Sequence, residues 1–179
     1  MANLLQAQQK TAFDGLKGNF GWSNVMQTIK IEKVVISVGV GKMVKEKGKL
    51  ELVQDRLAKI TGQKAVTRGA KKAIATFKTR VGDTVGYQIT LRGKRAEDFL
   101  NRLIHVALPR TKDFKGLEES AIDEMGNFTL GVKEHVVFPE TTDEDIKDVF
   151  GMAVTVVTTA KNKVEAKAYL THLGFPFKK

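Results

Sequence analysis

Residues 85–92 constrain the fold of this chain more than any other segment. Val85, Tyr87, Ile89 and Leu91 alternate with Gln88, Thr90 and Arg92. Side chains along a strand point to opposite faces in turn, so this pattern commits one face to a core and leaves a polar face open. Parallel sheets are covered on both faces, whereas antiparallel sheets tolerate one open face. Other segments agree. Residues 28–40 (TIKIEKVVISVGV) are rich in β-branched side chains and read as a strand, with an apolar phase shift between Ile31 and Val34 that suggests a bulge or two short pieces. Phe128, Leu130 and Val132 alternate as a strand, residues 151–158 read as another, and residues 64–69 as a short one.

Apolar residues at helical spacing predict four helices. They cover residues 3–20 (Leu5, Ala12, Phe13, Leu16, Phe20), 48–61 (Leu50, Val53, Leu57, Ile60), 94–107 (Ala96, Phe99, Leu100, Leu103, Ala107) and 162–173 (Ala166, Tyr169, Leu170, Leu173). Gly62 is placed to end the second and Pro109 to limit the third. Residues 110–127 read as a long charged connection. The expected class is α+β: a mostly antiparallel sheet with helices packed on one face and a projecting basic loop. No repeat, low-complexity tract or linker divides the 179 residues, so 1–179 reads as a single domain.

Charge narrows the function. Residues 1–63 carry ten basic and five acidic side chains, residues 64–102 ten and three, and residues 103–179 ten and twelve, within a net charge of +10. Between Arg68 and Arg80 the cations Arg68, Lys71, Lys72, Lys78 and Arg80 surround Phe77 with no acid among them. A surface shaped for solubility alone mixes its signs. Concentrated cations beside an aromatic suit a nucleic acid, the cations fixing phosphates and the ring stacking on a base. The plainer alternative is a solvated hairpin with Phe77 in the core.

Other chemistry is thinly supported. With no cysteine there is no disulfide, thiolate zinc site or cysteine nucleophile. No apolar run approaches the ~20 residues of a membrane span, and no signal-peptide pattern opens the sequence, so a cytoplasmic protein without membrane contact is expected. Gly39-Val40-Gly41-Lys42 fails the phosphate-loop spacing, because Ile36 stands at the first glycine and Met43 at the Ser/Thr. The two glycines read instead as a tight exit from the strand, or as a close approach of backbone to a partner. His105, His135 and His172 lack metal-ligand spacing and read as surface or structural residues. The acidic run from Glu140 to Asp148 has the carboxylates of a metal site, but reads more plainly as a helix start with Thr142 as N-cap and Asp143, Glu144 and Asp145 in the first turn. No cofactor, metal site or catalytic residue is expected.

Several blocks carry a family resemblance. Residues 60–104 (ITGQKAVTRGAKKAIATFKTRVGDTVGYQITLRGKRAEDFLNRLI), 108–117 (LPRTKDFKGL), 126–140 (GNFTLGVKEHVVFPE), 151–160 (GMAVTVVTTA) and 173–177 (LGFPF) run in order over nearly the whole chain. The sequence resembles the family of the fifth protein of the large ribosomal subunit, in its bacterial branch. The resemblance implies a non-enzyme that binds 5S rRNA in the central protuberance beside neighbouring proteins there. It also implies contacts with 23S rRNA, with P-site tRNA and with the small-subunit head protein numbered thirteen. Gln63, Thr90 and Arg92 match 5S rRNA contacts, and Gln88 lies on the same polar face. Ser37 falls where the family usually reads Asn-Met-Gly, keeping a hydroxyl but not an amide. Lys71, Lys72, Phe77, Lys78 and Arg80 match the loop that approaches tRNA and rRNA. Two rival readings are a stand-alone RNA-binding regulator, which lacks the usual RRM aromatic signature, and an RNA-processing enzyme using His105 or the acidic run.

Overall fold

The structure, a computed structural model, describes residues 4–43, 46–141 and 149–178. Five strands form one antiparallel sheet: β1 (Ile31–Gly39), β2 (Val66–Gly69), β3 (Thr84–Leu91), β4 (Phe128–Val132) and β5 (Met152–Thr158), in the order β2-β3-β1-β5-β4. With four helices, α1 (Leu4–Phe20), α2 (Lys47–Thr61), α3 (Lys94–Arg102) and α4 (Lys163–His172), the fold is α+β as expected. Burial alternates along the strands. Val34, Ile36 and Val38 are buried in β1, Tyr87, Ile89 and Leu91 in β3, and Met152, Val154 and Val156 in β5. The residues between them are half-buried or exposed, which leaves the opposite sheet face uncovered.

The chain divides into two compact units whose boundaries fall inside β1, β3, β4 and β5. The first contains residues 1–34, 91–130 and 155–179. Here α1 packs against both α3 and α4, through Leu5, Ala12 and Leu16 on α1, Ala96, Phe99 and Leu100 on α3, and Ala166, Tyr169 and Leu170 on α4. Each fully buried side chain of this size stabilises by about 1.5–3 kcal/mol. Asn162 caps α4 by accepting from the Glu165 amide at 2.9 Å. The charged connection after residue 110 is not loose: Leu117 N–H donates to Pro176 O at 2.7 Å, and Ile122 bridges Phe128.

Gly126 closes the turn before β4. Asn127 donates its backbone and side-chain N–H groups to the Asp123 carboxylate at 2.6 and 2.9 Å. The side-chain bond is the main cause holding that carboxyl below its ordinary pKa. Gly126 itself has φ +80, and a Cβ there would lie 2.7 Å from the Ala160 Cβ and 3.3 Å from that of Ala166.

The second unit contains residues 35–90 and 131–154. Helix α2 buries Val53, Leu57 and Ile60, and its carbonyl at Leu50 accepts the Tyr87 hydroxyl at 3.1 Å. Gly62 ends α2 at φ 68, its N–H donating to Ala58 O, as its place in the sequence predicts.

Three local expectations change. Residues 31–39 are one continuous strand and not two short pieces; Ile31 points away from the face that Val34 joins. The third helix does not stop at Pro109. After α3 the chain makes a π turn (Leu103–Ala107) and a last α-helical turn (Leu108–Arg110). A proline ring collides with the carbonyl four residues earlier in a regular helix. The wide π turn, in which Leu108 N–H donates to Leu103 O, opens the helix just before the ring. Finally, Gly39 and Gly41 leave β1 through a short 3₁₀ turn (Gly41–Met43), yet neither has positive φ and a Cβ at either meets nothing within 4 Å. The exit as folded does not require glycine.

Candidate nucleic-acid interface

The open sheet face carries most of the polar candidates. In β1, Ser37 is exposed between buried Ile36 and Val38. In the neighbouring β3, Gln88 is half-buried and Thr90 exposed on the face opposite Tyr87, Ile89 and Leu91. Edge strand β2 pairs antiparallel with β3, with Val66 opposite Gln88 and Arg68 opposite Gly86. All four residues of β2 are exposed. The Arg68 Nε donates to Gln88 Oε1 at 2.6 Å. Arg68, which the sequence groups with the basic loop, thus stands on the sheet face and orients Gln88.

Gln63 follows the Gly62 cap, and its Nε2 lies 3.4 Å from Thr90 O. Thr61, which donates its hydroxyl to Leu57 O and Gln63 O, fixes the backbone there. Gln63, Gln88 and Thr90 are therefore held on one end of the sheet, and the Thr90 hydroxyl has no partner among the described residues. Arg92 leaves the strand and pairs loosely with Glu32 at 3.6 Å; both side chains are more than half exposed. An ion pair of that kind contributes at most about 1 kcal/mol and yields easily to a phosphate.

The basic loop is a small hairpin. At its base, Ala70 N–H donates to Asp83 O and Gly82 N–H to Ala70 O, and the Arg80 amide donates to the Asp83 carboxylate at 2.7 Å. Near its tip Ile74 and Thr79 exchange backbone bonds at 3.3 Å, and Lys78 turns the chain at φ 51. Phe77 is 72% exposed, and Ile74 and Val81 are exposed too. The alternative that placed Phe77 in the core is therefore excluded. Lys71, Lys72, Phe77 and Lys78 come together along a cleft of about 1180 Å³ shared with Gly39, Gly41, Met43 and Phe150. Arg80 is exposed at the hairpin base, beside the Asp83 bracket.

The remaining sequence candidates separate. His135 is buried, stacked on Phe150 with ring centroids 4.2 Å apart, and its Nδ1 accepts the Phe150 amide. His172 contacts Thr11 Oγ1 and Gln8 O. His105 is exposed on the π turn. All three fit structural or surface roles. The helix start proposed at Thr142, Asp143, Glu144 and Asp145 lies outside the described residues.

Residues 24–80 match the family described as ribosomal protein L5, and residues 84–177 match the C-terminus of the ribosomal L5P family. The large ribosomal subunit protein uL5 of Ureaplasma urealyticum is 48% identical over 100% of this chain and 97% of its own length. The chain belongs to the ribosomal protein L5 family. Similar proteins of the same name occur in Trichlorobacter lovleyi, 46% identical over 99% of each chain, and in Flavobacterium johnsoniae, 47% identical over 98% of this chain and 96% of the relative. L5 proteins are named as constituents of the large ribosomal subunit, and this member is a structural constituent of that particle in the cytoplasm, not an enzyme. Sequence reasoning did not find the coupling of Arg68 to Gln88 in this L5 chain. The one available signal was the spacing of β2 from β3, which does not give register.

Proposed function

We propose that the chain, acting as a single domain over residues 1–179, binds 5S rRNA through the open face of its sheet and anchors it in the central protuberance. The observation that carries this reading is the uncovered face of the second unit at Ser37, Gln88 and Thr90, with Gln63 bonded to Thr90 O and Arg68 bonded to Gln88; Arg92 follows two residues after Thr90 in the chain. A shallow polar surface suits the wide minor groove of A-form RNA, where 2′-hydroxyls both donate and accept. In the first unit small polar side chains also meet across neighbouring strands, Thr129 and Thr155 at 3.1 Å. The cationic hairpin, with Lys71, Lys72, Lys78 and Arg80 around exposed Phe77, is the part proposed to reach P-site tRNA and 23S rRNA. Contacts with head protein thirteen and with neighbouring proteins of the central protuberance follow from the family resemblance alone.

Filter binding of 5S rRNA tests the reading. If about six phosphates are neutralised, log K should fall against log salt with a slope near −5. A constant that stays flat from low to moderate salt refutes the electrostatic part. Thr90→Val preserves shape and strand preference but leaves an RNA hydroxyl without its partner. The expected loss is roughly 1–2 kcal/mol, about five- to thirtyfold in affinity, with the salt slope unchanged. A folded Thr90→Val chain that binds 5S rRNA like the parent removes the sheet face from the site.

A further inference from the structure

The first unit contains a second cleft, of about 610 Å³, that the sheet face and the hairpin do not use. Helix α1 presents Gln6, Lys10 and Phe13 to it at spacings of four and three residues, one helical face. The stretch before and at the start of β1, with Thr28 and Lys30, also lines it, as do Tyr169 and Glu97. Two bonds between Lys30 and Thr159 hold that stretch in place: Thr159 N–H donates to Lys30 O at 3.0 Å, and Lys30 N–H donates to the side-chain Thr159 Oγ1 at 2.9 Å.

One polar atom here lacks a partner. Thr28 is only 9% exposed, yet its hydroxyl makes no hydrogen bond among the described residues. A buried hydroxyl left without a bond is costly, so such groups usually belong to a ligand or a water. Glu97 accepts from Gln6 Nε2 through Oε2 at 2.7 Å, and its Oε1 has no hydrogen bond among the described residues. Lys10 and Lys30 have no ion-pair partner among the described residues. The cleft thus offers an aromatic ring at Phe13, a carboxylate acceptor, a hydroxyl and two cations. Its size is that of a small-molecule site.

We propose that this cleft receives one unstacked guanine of the ribosomal RNA. This inference rests on the RNA-binding reading above but concerns a separate surface. Phe13 offers a face or edge for the extruded base, and the lysines meet the flanking phosphates. A carboxylate accepts from both donors of the guanine Watson–Crick edge, N1–H and N2–H. Uracil flanks its one N–H with two carbonyl oxygens that repel the same carboxylate. The Thr28 hydroxyl supplies a donor or acceptor to the remaining edge of the base.

The first arm of the test titrates the whole chain with GMP, UMP and inorganic phosphate, followed by backbone amide NMR. GMP should shift the amides around Thr28 and Glu97 and bind about tenfold more tightly than UMP, the discrimination of a good bidentate pair. Glu97→Gln exchanges one acceptor for a donor and should abolish or reverse that preference, an effect a merely structural role would not produce. Equal responses to GMP, UMP and phosphate overturn the base pocket. The second arm probes guanine N1 and N2 reactivity in large subunits assembled with the parent or with Thr28→Val. One rRNA guanine should gain reactivity in the variant. If GMP binds but no guanine changes, the site takes a free nucleotide and the RNA assignment is overturned. Retained 5S affinity in Thr28→Val, within about twofold, shows that the sheet-face reading stands or falls separately.

Discussion

Alanine at Gly126 should lower the melting temperature by about 10 °C, the largest stability loss expected from one methyl group in this chain. At φ +80 an L side chain costs about 1–2 kcal/mol. The new Cβ would also sit 2.7 Å from the Ala160 Cβ, a neighbour with no flexible end to swing aside, and 3.3 Å from Ala160 O. Overpacking of this kind costs roughly 1–3 kcal/mol more. A total near 3 kcal/mol corresponds to about 10 °C for a chain of this length. Two interactions oppose any relaxation: Thr158 donates its hydroxyl to Gly126 O at 2.7 Å, and Asp123 brackets Asn127. Gly18→Ala is the control. It lies inside α1, its Cβ would meet nothing within 4 Å, and helix propensity should make it neutral or stabilising by up to about 1 kcal/mol. Equal melting of the two variants in a thermal denaturation scan would show that the turn yields where the structure says it cannot.

Replacing Lys71, Lys72 and Lys78 together with alanine should separate folding from function. All three are exposed, and Lys78 already carries a Cβ at φ 51, so alanine there adds no new strain. The melt should move by less than about 1 kcal/mol in stability. Affinity for 5S rRNA should stay within about twofold. Release of P-site tRNA from ribosomes carrying the variant should quicken about tenfold, from three exposed ionic contacts of ~0.5 kcal/mol each. Adding Phe77→Ala should deepen the loss, since base stacking on an aromatic contributes roughly 1–3 kcal/mol. A large loss of 5S affinity in the triple variant, with tRNA release unchanged, would show that the hairpin serves the other RNA.

Much of the scaffold was legible because burial writes a period into the residues. The alternation at residues 85–91 gave the buried face of β3 and, by subtraction, the polar face. Helical spacing placed α1, α2 and α4 within a residue or two of their observed ends. Gly62 and Asn162 mark two of those ends through local backbone chemistry, which depends only on near neighbours. The same logic failed at Pro109, where the rule for a regular helix was applied and the chain used a π turn to avoid the clash. It also misjudged Ile31, because period alone does not show that a strand's first residue faces a different layer.

The sequence by itself determined the class of the fold, the charge that favours a polyanion and, through ordered blocks of residues, the family. Each of these depends on local periodicity, on a sum over side chains or on residue identity. Only the tertiary structure decided that Phe77 stands in solvent, that Arg68 is bonded to Gln88, and that the unpartnered Thr28 hydroxyl lines a cleft with Glu97 and Lys10. Those relations join residues 18 to 87 positions apart, and strand register and helix packing bring such residues together through burial of apolar faces that carries no local signature at the partners themselves.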